Sequence, residues 1–485
     1  MPGKRAFVAA GARAAVGLAG AVLAVAAVGS AALVQWPYIE RDPVSSLVTP
    51  VPSEQVRVCP GPLLTLAEDS NQASAVTSVG RAFSLYAARD ASGAEQLPPV
   101  ATEIEAVDNS TSSSDGSPVV VSVPAEEKAA MSLLTGSQSQ TAAVESLGGL
   151  AAASCTEATA EAWLVGGSTD IGHTSLVLLS NPTTVLATVD LAVYGETGLV
   201  DAPGANGILV QPGTQQVVSL AGLAPNVKSP VVHVLSHGGR VSASLEHSLI
   251  EGIEPAGVEL TGPAGAPAQL QVIPGMLVAA QASSSGGNSA DVGALPANVP
   301  SVRIFVPGPD AASVEVGITS EDGQASGDSL QVEIQPGVVT EVPLEAIATG
   351  NFVVRLDSDQ PLVASAFSST SAGETRDFAW FTSGGMLAET FLVSAADGPS
   401  PSLHLYNSDA SDVEVTVTSD TGREVAATVT GGGSAVVPLS AATSYTVTAR
   451  AGLVASVGYS GGGLLSSFTL SAMGPLATPI TVYER

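Results

Sequence analysis

One punctuated pair of apolar runs recurs three times, and it commits the chain to strands. The first copy is Leu209-Val210-Gln211-Pro212-Gly213, followed by Val217-Val218-Ser219-Leu220. The second is Val332-Glu333-Ile334-Gln335-Pro336-Gly337, followed by Val342-Pro343-Leu344. The third is Ala427-Thr428-Val429-Thr430-Gly431-Gly432, followed by Val437-Pro438-Leu439. In every copy the glycine lies seven residues before the closing leucine, and a valine stands two before that leucine. Apolar residues alternate with polar ones on either side, the period of a strand with one buried face. Pro-Gly or Gly-Gly between such runs supplies the positive φ of a tight turn. Each copy is therefore expected to be a β-hairpin turning on Gly213, Gly337 or Gly432.

The hairpin sits inside a longer succession that also repeats. Glu161-Ala162-Trp163-Leu164-Val165 opens the first copy and Phe378-Ala379-Trp380-Phe381 the third. Val241, Val363 and Val454 fall at the same place near each copy's end. With 51 Gly and 32 Pro as punctuation and no helix-length amphipathic runs, many short strands are expected. Repeats of roughly 100 residues exceed the ~40–50 of a propeller blade. They suit β-sandwich modules of immunoglobulin-like or fibronectin-like type. The expected fold is all-β: tandem sandwiches after one N-terminal transmembrane helix. The division is 1–36 cytoplasmic stub and anchor, 37–55 Pro-rich spacer, 56–262 first module with an N-terminal extension, 263–377 second module and 378–485 third module. A short helix is expected over Glu126–Leu134.

Ala14–Val34 is 21 residues without a charge, about the length that spans a bilayer. Lys4, Arg5 and Arg13 precede it, so the N-terminus is expected in the cytoplasm and the bulk of the chain outside the cell. A cleaved signal peptide is the competing reading, but its apolar region is usually shorter. In an oxidising compartment Cys59 and Cys155, the two cysteines present, are expected to pair. The net charge of -29 excludes a nucleic-acid binder, which needs basic surface, and disfavours anionic lipid or wall polymer.

The layout resembles an actinobacterial family of exported proteins, domain of unknown function 5719. The likeness rests on a short N-terminal anchor followed by Val58-Cys59-Pro60-Gly61-Pro62-Leu63. It continues in Cys155 ahead of Trp163-Leu164-Val165-Gly166-Gly167-Ser168, Leu178-Leu179-Ser180-Asn181-Pro182 and Phe378-Ala379-Trp380-Phe381. The resemblance implies an envelope protein and carries no activity with it.

The residues offer little chemistry. His233 and His237 are four apart, a metal spacing on a helix but not on a strand and its turn. There is no Gly-x-Ser-x-Gly elbow and no Ser-x-x-Lys, the lysines being Lys4, Lys128 and Lys228. Asp357/Asp359 and Glu321/Asp322 are the densest carboxylate pairs and sit in turn-like contexts, where acids stabilise bends. The sequence thus predicts no catalytic residue, no metal ligand and no cofactor. It predicts a non-enzymatic envelope protein whose modules meet another envelope protein or wall glycan. Trp163 and Trp380 are expected to be structural core residues; the alternative makes them sugar platforms of a carbohydrate-binding module. A glycan hydrolase with carboxylates in a cleft between modules is the other rival.

Overall fold

The computed structural model describes residues 45–48, 54–66, 75–90, 93, 95–112, 116–124, 132–279, 299–322, 328–344, 347–471 and 480–483. The expected anchor Ala14–Val34 and most of the spacer lie outside these. Among the described residues no helix is long and apolar enough to cross a membrane. Ser45–Val48 and Ile480–Tyr483 form an antiparallel two-stranded sheet. The remainder, Val51–Ala477, is one compact unit.

That unit is all-β, and the strands follow the alternation. Ala187–Gly195 buries every second residue, as does Val413–Ser419. Leu133 and Leu134 open the strand Leu133–Val144 instead of closing a helix; residues 126–131 lie outside the described ones. Three large cores separate along the chain. One gathers Leu164, Val177, Val189 and Val232, a second Ile273, Val302, Val314 and Val354, and a third Val393, Leu403, Val415 and Val447. Each lies between two sheets. In the middle unit the strand Gly350–Ala372 serves both: its first half pairs with Ala268–Val278 and Ala312–Ser320, its second half with Ser301–Phe305 and Thr375–Thr382.

The recurring turn is not a hairpin. Ile208–Val210 pairs with Ala187–Gly195, whereas Thr214–Ser219 pairs with His173–Asn181 in the facing sheet. Asp328–Ile334 and Thr340–Pro343 likewise pair with different strands, as do Glu424–Val429 and Ser434–Pro438. Each copy is a corner that carries the chain from one sheet to the other. The two geometries share their local signal, a positive-φ glycine between alternating runs. Here both runs point their apolar side chains into the same core, so they face each other across it. Gly213, Gly337 and Gly432 have φ of 67°, 72° and 66°, and nothing lies within 4 Å of an added Cβ at any of them. Alanine at one of these positions meets only the left-handed backbone, and is expected to cost about 1–2 kcal/mol in urea unfolding. Two of the corners carry a buried asparagine. Asn181 Nδ2 donates to Val185 O and Val210 O, and Asn407 Nδ2 to Ser411 O and Val429 O.

The sheets do not follow one another as beads. Four of them present an edge strand inward: Leu147–Ser154, Glu254–Thr261, Thr375–Thr382 and Leu464–Thr469. These strands pack in a closed ring, first on second, second on third, third on fourth and fourth on first. Residues 55–155, read from sequence as an extension, supply the ring's first member. The arrangement has the blade order of a four-membered propeller, with each blade backed by a further sheet.

Asp377 binds the ring together. Its Oδ2 accepts the amides of Leu150 (2.8 Å) and Leu465 (3.0 Å), and its Oδ1 those of Val258 (3.2 Å) and Phe378 (3.0 Å). One carboxyl group thus takes an N–H from each of the four inner strands. Gly149 makes room for it, since a Cβ there would lie 2.5 Å from Asp377 Oδ1. Burial pushes this carboxyl well above the usual range, and the four amides pull the other way. Glu259 accepts the Ser466 hydroxyl at 2.7 Å, and its Oε2 has no partner among the described residues. Burial raises it strongly, with the charge of Asp377 adding to the effect.

A third buried acid joins the first two blades. Glu246 accepts the Leu64 amide at 2.9 and 3.2 Å, and burial raises its pKa to about 8. The folded state therefore keeps a proton that the unfolded chain releases near pH 4.5. Its contribution to stability is full below that pH and is lost as pH rises towards 8. Glu246→Gln is expected to flatten this limb of a plot of urea midpoint against pH.

Candidate functional site

A groove of about 360 Å³ opens between the second and third blades. Its floor is built from the sequence upward. Gly166 and Gly167 end the strand Glu161–Val165, and a side chain at Gly166 would meet the Trp380 ring at 3.1 Å. The absent Cβ lets the indole of the third blade lie against the second. Trp380 stands on the ring strand, opposite Phe367. Over its face sits the Arg303 guanidinium, 4.3 Å from the centroid.

Arg303 is 3% exposed and fully committed. Nη1 donates to Gly167 O (2.9 Å) and Pro230 O (3.0 Å) of the second blade, while Nε and Nη2 donate to Glu341 Oε2 (3.2 and 3.0 Å) of its own. Glu341 also accepts the hydroxyls of Ser229 (2.7 Å) and Ser301 (2.6 Å). Burial opposes its ionisation, but Arg303 and the hydroxyls outweigh that and hold Glu341 below the usual carboxylate range. Arg303 is itself lowered by burial, against the pull of Glu341.

Beside this bracket runs a line of donors. The Trp380 indole N–H donates to His247 Nδ1 at 3.1 Å, and His247 Nε2 lies 2.9 Å from His173 Nδ1. Indole is a donor only, so His247 Nδ1 is the acceptor and its proton sits on Nε2. That proton faces His173 Nδ1, which places the His173 proton on Nε2. Burial lowers both imidazoles, His247 strongly. Both are neutral at pH 7, and the line ends on a fixed N–H donor at half-buried His173. Asp170, Glu196 and Lys228 complete the rim.

The residues singled out in the sequence fall into place unevenly. Cys59 and Cys155 are bonded. Trp163 is 5% exposed, stacked on His233 at 3.8 Å and 5.7 Å from Phe305, and Trp380 is 3% exposed. Neither indole is an open platform, so the sugar-platform reading of these two rings does not hold. His233 Nε2 meets Glu161 at 2.9 Å and His237 Nε2 meets Asp190 at 3.6 Å, and the two imidazoles converge on nothing shared. Asp357 pairs with Arg355 (2.8 Å) and Asp359 accepts the Ser313 amide (2.9 Å). Glu321 is buried against His404 Nδ1 at 2.6 Å, and Asp322 accepts the Ser320 hydroxyl. The groove residues His173, His247, Arg303 and Glu341 were not marked as a site by the sequence. Each is a single polar residue within a strand or at its end, far from the others along the chain.

Residues 109–457 match the profile of a family of unknown function, DUF5719. The chain belongs to that family. Nothing matches it among curated proteins or among solved structures. The DUF5719 match spans the second and third blades whole, and with them every groove residue named above.

Proposed function

We propose that this DUF5719 protein is a non-catalytic binding protein of the cell envelope. In this reading Ala14–Val34 anchors it in the membrane with the N-terminus in the cytoplasm. The bulk stands outside, as immunoglobulin-like or fibronectin-like sandwiches joined through their inner strands. Its partner is a wall glycan or another envelope protein. The observation that carries the reading is the groove, a formed concave site whose charged floor is neutralised from within. Glycan hydrolysis needs one carboxylic acid to protonate the leaving oxygen. Glu341 is held ionised by Arg303, and Glu196 accepts the amides of Lys228 and Ser229 on an exposed rim. Neither suits an acid, which leaves Asp170 alone among the groove's carboxyl groups where hydrolysis needs a pair, and this favours binding over turnover. The Cys59–Cys155 bond fits an oxidising compartment.

The test uses the full chain in detergent micelles with insoluble wall material. Saturable co-sedimentation with no release of soluble reducing ends over a day is the expected result. Steady release of reducing ends would overturn the non-catalytic part. No retention on walls, with no specific crosslink to an envelope protein on living cells, would overturn the rest.

A further inference from the structure

We infer that the groove between the second and third blades takes the end of a neutral glycan, one pyranose seated against Phe367. This rests on the binding reading above and narrows it to a ligand class. Three observations lead there. The donor line from Trp380 through His247 terminates in the His173 Nε2–H, which has no acceptor among the described residues. A ligand there must offer an oxygen. Beside it Asp170 spends Oδ1 on the Ile171 amide (2.9 Å), and Oδ2 has no partner among the described residues. A ligand there must offer a hydroxyl or N–H. Between these polar groups the wall is aromatic and aliphatic. Phe367 is half-buried, its ring 5.0 Å from Trp380 and 5.7 Å from Phe378, and Leu249 and Val299 continue the apolar surface.

An acceptor and a donor on one compact body with an apolar face is the pattern of a pyranose ring. Its hydroxyls both give and accept, and its C–H face packs on an aromatic ring. Charge narrows the class further. The chain carries -29, and Asp170 and Glu196 outnumber Lys228 on the rim once Arg303 and Glu341 cancel. A polyanionic wall polymer or an acidic sugar is repelled. The volume is at the small end of the range for small-molecule sites, enough for a chain end and too small for a folded partner.

The experiment titrates the full chain in micelles with cellobiose, maltose, α-1,6-mannobiose and N,N′-diacetylchitobiose. Intrinsic tryptophan emission is the readout, because Trp380 lies in the floor. At least one disaccharide is expected to give a saturable change. Phe367→Ala is expected to weaken that binding roughly tenfold or more, the loss of one ring contact and its burial. Asp170→Asn alters only a rim group and is expected to weaken it as well, with the urea midpoint unchanged. Saturable binding by none of the four, or binding indifferent to both substitutions, overturns the inference. So does tighter binding of a lysine-rich peptide at the same site, which would make the groove a peptide cleft. If Phe367→Ala still co-sediments with walls as the unchanged protein does, the groove assignment falls and the envelope-binding reading stands.

Discussion

Asp377→Ala is expected to destabilise the protein by about 4 kcal/mol or more, and Asp377→Asn to recover only about half of the loss. The carboxyl group accepts four backbone amides, one from each inner strand. Alanine strands four buried donors, and each unmet donor costs about 1–3 kcal/mol. Asparagine has the same shape but one oxygen. It can serve two of the four amides and must aim its own N–H groups at the other two, so a loss of about 2–6 kcal/mol is expected. The comparison tests more than stability. A carboxylate has acceptor positions for four donors, whereas a neutral carboxylic acid would already hold a hydrogen in one of those positions. If urea unfolding at pH 7 finds Asp377→Asn within about 1 kcal/mol of the unchanged protein, the four-donor account is wrong. The side chain would then work as a neutral group. Both substitutions should act on cooperativity as well, because this one side chain is bonded to all four inner strands.

The same residue shows where reading the chain reached its limit. The strands were legible because burial follows alternation, as along Ala187–Gly195 and Val413–Ser419. The repeating units were legible because their corners need a positive φ at Gly213, Gly337 and Gly432. What the corners join was not legible. A hairpin and a crossing between sheets use the same local turn, and only the partner strands, dozens of residues away, distinguish them. Ring closure left still less trace. Asp377 binds amides, which every residue but proline has, so its partners have no side-chain signature. Gly149, which clears the space for Asp377, and Gly257, which clears it for the Phe378 ring, look like weak points in strands. Repeat length argued for separate sandwiches and against blades about an axis. In the structure a unit of that length holds two sheets, one forming the blade and the other backing it, so repeat length does not separate the two architectures. The groove was hidden for a related reason. Trp380 stood out as an aromatic, but its value lies in an N–H that orders two histidines contributed by another blade.

Removing the disulfide by Cys59→Ala with Cys155→Ala is expected to open the first blade before the others. The two cysteines are 96 residues apart, and closing a loop of that length contributes about 4–5 kcal/mol in the chain-entropy account. Where that loss is felt depends on how the blades are held. The core around the bridge is small: besides the cysteines it has Ala88, Val121, Val123 and Leu134. Each of the other three blades encloses a far larger apolar cluster. Without the bridge, the strand Gln55–Cys59 keeps its pairing with Val119–Val123 and the reciprocal bonds between Val58 and Thr156 (2.8 and 2.9 Å). The Val58–Thr156 bonds close nearly the same loop as the disulfide, but they are lost in the unfolded chain, which only the covalent link constrains. The inner strand Leu147–Ser154 is better secured, because Leu150 is tied to Asp377 and Ala152 to the Ser466 hydroxyl (2.7 Å). Hydrogen exchange should therefore show early loss of protection over 55–59 and 119–123, later loss over 147–154, and little change across residues 161–469. A uniform loss through all four blades would mean that the ring transmits the cut and that no blade opens alone. Unchanged protection over 55–59 would mean that the backbone pairing, and not the covalent link, holds the first blade closed.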